Sequence, residues 1–400
     1  MISVTDFLTP ADQVLYASGT LFDATYAFDA AQAADLEVAV PAGLFGLVGF
    51  QPRNGLHLRG ASPEASILKQ MDPERPALEI RSATAPDQLL NLHLSGFLVV
   101  GADEYASATT FAAFLSGGGS PIAAVYLHAS GAGAITNGYF EYYTRNTYSA
   151  LTMAGMTAGN IYDNRFVVTG AGHRGTAAKT GGPYNRYELF LTQCDSFCID
   201  DASDDSEISI VGENVMRFGG QRNVIRPRME GIVVAAAPAN TGIIDANHKN
   251  TYINPLVNLF PFDLGKLAFA FRGFSGSVWI NPQIVGLGAA SPLYPFGDTS
   301  GPVTVVGGRG VAAPIEAYHS DPAGIAERRF DRFTLLGQND GLSNRARPTA
   351  HKVFAPTANL VSDLDPTWVS IEVNSTLNPR PIFSSTWSHA RRSRAGGFRW

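Results

Sequence analysis

Cysteine is nearly missing. The 400 residues hold two, Cys194 and Cys198, which excludes a disulfide-stapled scaffold. Charge is scarce as well: Asp, Glu, Lys and Arg make up 16% of the chain, below the ~25% of a typical soluble domain. A formal net charge of −6 is too small to argue for nucleic acid or an anionic membrane as partner. No apolar run reaches the ~18 residues that a membrane span needs. Met1-Ile2-Ser3-Val4-Thr5-Asp6-Phe7 lacks the basic and apolar regions of a signal peptide, so no export signal is expected there. No Walker loop or Gly-x-Ser-x-Gly elbow occurs, and Gly170-Ala-Gly172-His-Arg-Gly175 is followed too soon by Thr180-Gly-Gly-Pro183 to open a dinucleotide-binding helix. What the chain does have is 41 glycines, 24 prolines and 45% apolar residues, the makings of a core crossed by many turns.

One segment reads as a helix. Asp23 is placed to cap an alanine-rich run from Ala24 to Ala34, with Phe28, Ala31 and Ala34 on one narrow apolar stripe. The rest is short β-type runs that repeat. Asn223-Val-Ile225-Arg-Pro227, Asn250-Thr-Tyr-Ile253-Asn254-Pro255 and Ser277-Val-Trp-Ile280-Asn281-Pro282 align with their isoleucines 28 and 27 residues apart, and Val305 follows 25 later. Ile135 to Phe140 matches Ile161 to Phe166 at a shift of 26, and Leu56-His57-Leu58-Arg-Gly60 matches Leu92-His93-Leu94-Ser-Gly96 at 36. A strand recurring at drifting intervals is the pattern of a parallel β-helix, whose loops grow outward without disturbing the stack. Recurrent Asn at turns, as at Asn223 and Asn250, suits amide ladders between coils. An all-β sandwich is the competing reading, but it supplies no reason for the repeat.

Four stretches in order carry a family resemblance: Val4-Thr5-Asp6-Phe7, Ala24-Thr25-x-Ala27-Phe28-x-Ala30-Ala31-x-Ala33-Ala34, Val38-Ala39-Val40-Pro41-Ala42-Gly43-Leu44-Phe45 and Gly55-Leu56-His57-Leu58-Arg59-Gly60. They resemble the opening of pectate-lyase-like, single-stranded, right-handed parallel β-helix proteins, and the arrangement is most similar to bacteriophage tailspike depolymerases. The usual Gly-Asp-Gly-x-x-Asp-Asp stretch is replaced here by Thr9-Pro10-Ala11-Asp12-Gln13. The resemblance implies an entry segment and capping helix over 1–36 and a β-helix over 37–310. A non-repetitive region over 311–400 would serve for capping, trimerisation or attachment. It also implies a homotrimer on a virion that binds a bacterial surface polysaccharide, with a tail or capsid adaptor as a further partner and no cofactor.

Residues 195–216 hold seven acids and no base, and Arg217, Arg222, Arg226 and Arg228 follow. Upstream lie the aromatic run Tyr139 to Tyr143 and a Gly-rich polar stretch, 170–188, that reads as a long loop. Coil stacking would bring these regions together. Tyr142, Tyr143, Arg145, His173, Arg174, Tyr184, Arg186 and Arg217 are the expected sugar-binding side chains, since rings stack on sugars and cations hydrogen-bond hydroxyls or carboxylates. Asp200, Asp201 and Glu213 are the expected catalytic carboxylates, because glycosidic hydrolysis needs two, ~5 Å apart for retention or ~6.5–9.5 Å for inversion. Asp200 is expected to face outward, with Asp201 in the turn after it. Asp163, Glu188 and Glu213, each 25 residues apart, form an alternative ladder. A lyase using Arg, Lys or His as base stays open, and so does a non-catalytic virion spike or decoration protein. No metal site is expected: His57 and His93 point outward between inward leucines without other ligands nearby. Cys194 and Cys198 read as core thiols ~13 Å apart along an extended strand, too far to bridge.

Overall fold

Each repeat of the sequence is one turn of a coiled backbone, and successive turns hydrogen-bond side by side. The computed structural model describes residues 1–82, 88–102, 123–154, 160–232, 241–259, 267 and 269–285. Beyond these it describes strands Tyr294–Phe296, Val303–Val306, Arg309–Gly310, Phe333–Leu336 and His351–Val353. Apart from the last two strands, the proposed C-terminal region 311–400 lies outside the described residues. The chain divides into two compact units, Met1–Asn223 and Val224–Trp400.

In the first unit every described strand pairing is parallel, the arrangement of a parallel β-helix rather than a sandwich. A first sheet stacks Glu37–Val40, His57–Gly60, His93–Val100, Tyr139–Thr147, Arg165–His173, Arg186–Cys194 and Glu207–Gly212. A second stacks Leu78–Ser82, Val125–Ala129, Leu151–Ala154, Ala178–Pro183, Ile199–Asp204 and Met216–Phe218. A third, of Leu89–Leu90, Ile135–Thr136 and Ile161–Tyr162, spans three coils only. The expected matches of His57 with His93 and of Phe140 with Phe166 are the observed register.

The stretch 170–188 is not a loop. It contains the end of one first-sheet strand, the second-sheet strand Ala178–Pro183 and the left-handed turn residue Tyr184, before the next strand opens at Arg186. Its small residues (Gly170, Gly172, Thr180 and Gly181) are buried, where bulk would not fit.

Alternation decides what lies inside. Phe140, Phe166 and Tyr187 stack ring on ring at 4.8 and 5.2 Å between successive coils, all fully buried. At the turn that opens the first sheet, one residue per coil adopts left-handed backbone: Asn137, Asp163, Tyr184, Asp205 and Arg222. The next residue faces inward and forms a ladder. Asn164 Oδ1 accepts from the backbone N–H of Gly138, Asn185 Oδ1 from that of Asn164, Ser206 Oγ from that of Asn185, and Asn223 Oδ1 from that of Ser206. Gly60 and Gly96 recur because the coils touch there: a Cβ on Gly60 would sit 2.1 Å from the Gly96 carbonyl oxygen.

The open end of the first coil is covered by helix. The sequence predicts one helix, and among the described residues there are two; the second, α1 (Pro10–Ala17), carries its signal in Thr9 as N-cap and Pro10 at the first helical position. The other, α2 (Thr25–Ala34), buries Ala27, Phe28 and Ala31, while Ala34 is exposed. Asp23 sits one residue ahead of the cap and accepts from the Thr25 backbone N–H and hydroxyl. Phe28 meets Phe45 and Phe50 edge-on, closing the core.

In the second unit Ile225, Tyr252, Trp279 and Val305 are register partners. The expected alignment of Ile225 with Ile253 is therefore one residue out, while that of Ile253 with Ile280 holds. A one-residue slip exchanges the two faces, and it is Tyr252 and Trp279, stacked at 3.8 Å, that fill the core. Among the described residues, no helix is long and apolar enough to cross a membrane.

Candidate functional site

The residues expected to meet in one groove are scattered. Tyr142 and His173 are 1% and 0% exposed inside the coil, so no polymer outside can reach them. Tyr142 stacks on Phe97 at 6.3 Å and His173 Nδ1 pairs with the Thr147 hydroxyl at 3.1 Å. Burial lowers the His173 imidazole to about 4, which makes it a neutral core histidine at neutral pH. Tyr143 and Arg145 face out on the first sheet, as does Arg186; Arg174 is half-buried at a corner, and Tyr184 stands on an exposed turn. Glu213 follows the end of a later first-sheet strand, at the same corner of the coil as Arg174, and accepts from the Gln193 backbone N–H at 2.7 Å. Asp200 and Arg217 are brought together, at 2.9 Å on the outer face of the second sheet.

Asp201 is not in a turn. The strand runs on from Ile199 to Asp204, and alternation carries Asp201 inward, 1% exposed. Its Oδ1 accepts from the Thr180 and Ser203 hydroxyls at 2.7 and 2.6 Å. Desolvation raises this carboxyl to about 6, against the lowering effect of those bonds. A folded-state value above the ordinary 3.8 means that the folded chain holds a proton the unfolded chain releases. The stability this contributes is complete below about pH 4 and is lost as pH rises through about 6, a change of order 3 kcal/mol. Asp245, buried in the second unit and also raised to about 6, acts in the same direction. Asp201→Asn is therefore expected to raise the urea midpoint at about pH 8 and leave it nearly unchanged at about pH 4. An equal shift at both pH values would assign the effect to packing instead.

The alternation of acidic and basic windows has a structural cause. One coil here is 17 residues long, and Asp200 meets Arg217 and Asp205 meets Arg222 at that separation. The Asp205–Arg222 pair is bidentate, both bonds 2.7 Å, and holds the Asp205 carboxyl below its ordinary value. Glu188 pairs with Arg165 at 3.0 Å and Glu207 with Arg186 at 3.7 Å. Three of the seven acids of the cluster, Asp200, Asp205 and Glu207, are thus engaged in ion pairs between coils. The proposed Asp163–Glu188–Glu213 ladder does not form, since Glu188 lies between Val167 and Ser209. The cysteines are buried, as expected, but the corner after Cys194 folds Cys198 back into contact with it.

A groove of about 630 Å³ opens elsewhere, on the outer face of the second sheet. Its floor is the outward half of four strands whose inward residues, among them Leu78, Ile80, Val125, Leu127 and Leu151, fix the alternation. Glu79 and Arg81 come from the first, Tyr126 and His128 from the second, Thr152 from the third and Lys179 from the fourth. Gln51, Tyr148 and the turn Glu74-Arg75-Pro76 form its walls.

Glu79 is fixed from two sides, by Gln51 Nε2 at 3.1 Å and Arg81 Nη1 at 3.6 Å. The Tyr126 and His128 rings lie parallel within 9°. His128 Nδ1 is buried without a hydrogen-bond partner among the described residues. Lys179 also leads, through Asp200, to Arg217 along one row of the sheet. The sequence held the signal in the alternations Leu78-Glu-Ile-Arg and Val125-Tyr-Leu-His, which place these side chains outside. The groove's acids and bases nearly cancel, so these residues leave no trace in the charge distribution along the chain. Among the described residues no cluster of His, Cys, Asp and Glu can hold a metal ion.

No family model matches the chain, and no curated protein matches it. Three solved structures show a distant likeness over 78% of this chain. The catalytic unit of a thermostable GH87 α-1,3-glucanase from Streptomyces thermodiastaticus is 15% identical with a TM-score of 0.35, over 69% of its own length. The pre-mature gene product 12 of bacteriophage phi29 is 12% identical with a TM-score of 0.33, over 52% of its length. The A-module of the Azotobacter vinelandii mannuronan C-5 epimerase is 11% identical with a TM-score of 0.33, over 90% of its length.

Proposed function

We propose that this chain binds a bacterial surface polysaccharide in the second-sheet groove and hydrolyses it. The observation that carries the reading is the groove itself: an open trough on a rigid parallel sheet, with Tyr126 to stack on sugar, Thr152 and His128 to bond hydroxyls, and two carboxylates, Glu74 and Glu79, on its lining. Hydrolysis of a glycosidic bond asks for two carboxyl groups on opposite sides of the linkage. Glu79, held by Gln51 and Arg81, is the positioned member. Glu74, exposed on the preceding turn with no side-chain partner among the described residues, is the other.

Incubation with capsule or lipopolysaccharide from candidate hosts, followed by size-exclusion of the products, tests this. Shortened chains are expected from the unaltered protein, and Glu79→Gln is expected to slow their release by about a hundredfold or more. Cleavage at the original rate by Glu79→Gln would remove the groove from the chemistry.

A second reading is binding without cleavage, as a receptor-binding or decoration protein of a virion. The burial of Asp201 and the ion pair of Asp200 favour it, because the acids most prominent in the sequence do structural work. Retention of a glycan that is never shortened would select it. Under either reading we place the chain on a virion as a homotrimer, docked through an adaptor, and sedimentation of the full chain as a trimer is the corresponding expectation.

A further inference from the structure

We infer that the polymer held in this groove is acidic, carrying a carboxylate on its repeating unit; the inference rests on the polysaccharide reading above and narrows it.

The cations of the lining are not equivalent. Arg81 is engaged with Glu79, but Arg75 and Lys179, both exposed, have no ion-pair partner among the described residues. Elsewhere in this unit several outward arginines are matched with acids, Arg165 and Arg186 by Glu188, Arg217 by Asp200, and Arg222 by Asp205, while Arg53 and Arg59 are exposed without an ion pair among the described residues. What sets Arg75 and Lys179 apart is that both line the same groove, where a bound polymer would cover them.

A neutral glycan lying in the trough would strip water from both without replacing its bonds, and burying an unpaired charge is costly. A carboxylate supplies the missing partner through a charge-assisted bond. The spacing points to a polymer rather than a single small anion. Lys179 is two strands from Tyr126 along the sheet, ~9.6 Å at the usual interstrand distance. Arg75 stands apart on the wall turn. The two cations are therefore spread along the trough instead of converging on one point. Between them, Tyr126 offers a ring for a sugar face. Glu74 also lines the groove, so the carboxylates of the polymer must fall at the cations and its hydroxyls at the glutamates. That is a register requirement, which selects among acidic polymers.

The test is affinity electrophoresis of the full chain in gels containing polygalacturonate, hyaluronate or dextran, at low and at raised salt. Retardation by at least one acidic polymer, weakened by salt and by about tenfold in Lys179→Gln, with dextran giving none, is the expected result. Arg75→Gln is expected to act in the same direction, and both exposed positions tolerate the change without unfolding. Retardation by dextran that Tyr126→Ala abolishes and Lys179→Gln leaves intact would overturn the acidic assignment while leaving the glycan groove standing. Absence of retardation by all three polymers, or retardation that Tyr126→Ala does not alter, would overturn both.

Discussion

Phe166→Ala is expected to lower the unfolding free energy by ~3–5 kcal/mol. Phe166 is fully buried between Phe140 and Tyr187, with ring planes 8° and 11° from parallel. Removing the ring deletes a large apolar side chain and leaves a hole bounded by two rings that cannot both move in. Their backbones are pinned by parallel ladders on either side, Phe140 opposite Phe166 and Phe166 opposite Tyr187. A site that cannot collapse sits at the costly end of the range. Phe166→Leu, which keeps much of the volume, is expected to cost roughly 1–2 kcal/mol. Urea unfolding followed by circular dichroism reads both. A loss below ~1 kcal/mol for the alanine variant would mean that the coil is loosely packed and that the stacked rings are not its core.

Asn185→Ala is the second large effect, and it acts through hydrogen bonds. The side chain is 1% exposed. Its Nδ2 donates to the carbonyls of Ile161 and Gly181 at 2.8 and 3.0 Å, and its Oδ1 accepts from the Asn164 backbone N–H at 3.0 Å. Alanine leaves these groups buried and unpaired, each costing ~1–3 kcal/mol, so a loss of at least ~3 kcal/mol is expected. Asn185→Asp separates the two halves of the bond set. It keeps an acceptor for Asn164 but gives up the donor and introduces a buried charge, so its penalty should grow as pH rises through the carboxyl's titration. Flat stability across pH for Asn185→Asp would indicate that water reaches the ladder.

One member of this ladder is legible in the sequence. Asn223 was expected at a stacked turn and does cap the backbone of Ser206. Asn250, expected in the same role, is buried and donates through Nδ2 to the Asp245 carboxylate at 2.8 Å within its own unit. The capping helix, the inward leucines beside His57 and His93, and the matches at shifts of 26 and 36 were also legible, because alternation and repetition are local properties. Asp201 was misplaced because nothing in Ile199-Asp-Asp-Ala-Ser-Asp marks where the strand stops. A run of acids reads as a turn until the interior hydroxyls of Thr180 and Ser203 are known to receive one.

The chain's order of residues determined the winding, the faces of each strand and the excess of acids that must find bases. Which outward side chains become neighbours was settled only in three dimensions. Neighbours on a solenoid are set by the length of each coil, and that length changes as the third sheet disappears, to separations of 21 and then 17 residues. A fixed period cannot anticipate such shortening, since a corner dropped from one coil shifts everything stacked beyond it. Asp200 and Asp205, prominent as acids in the sequence, therefore close into ion pairs with Arg217 and Arg222. Residues as far apart as Glu79 and Lys179 came to line one trough.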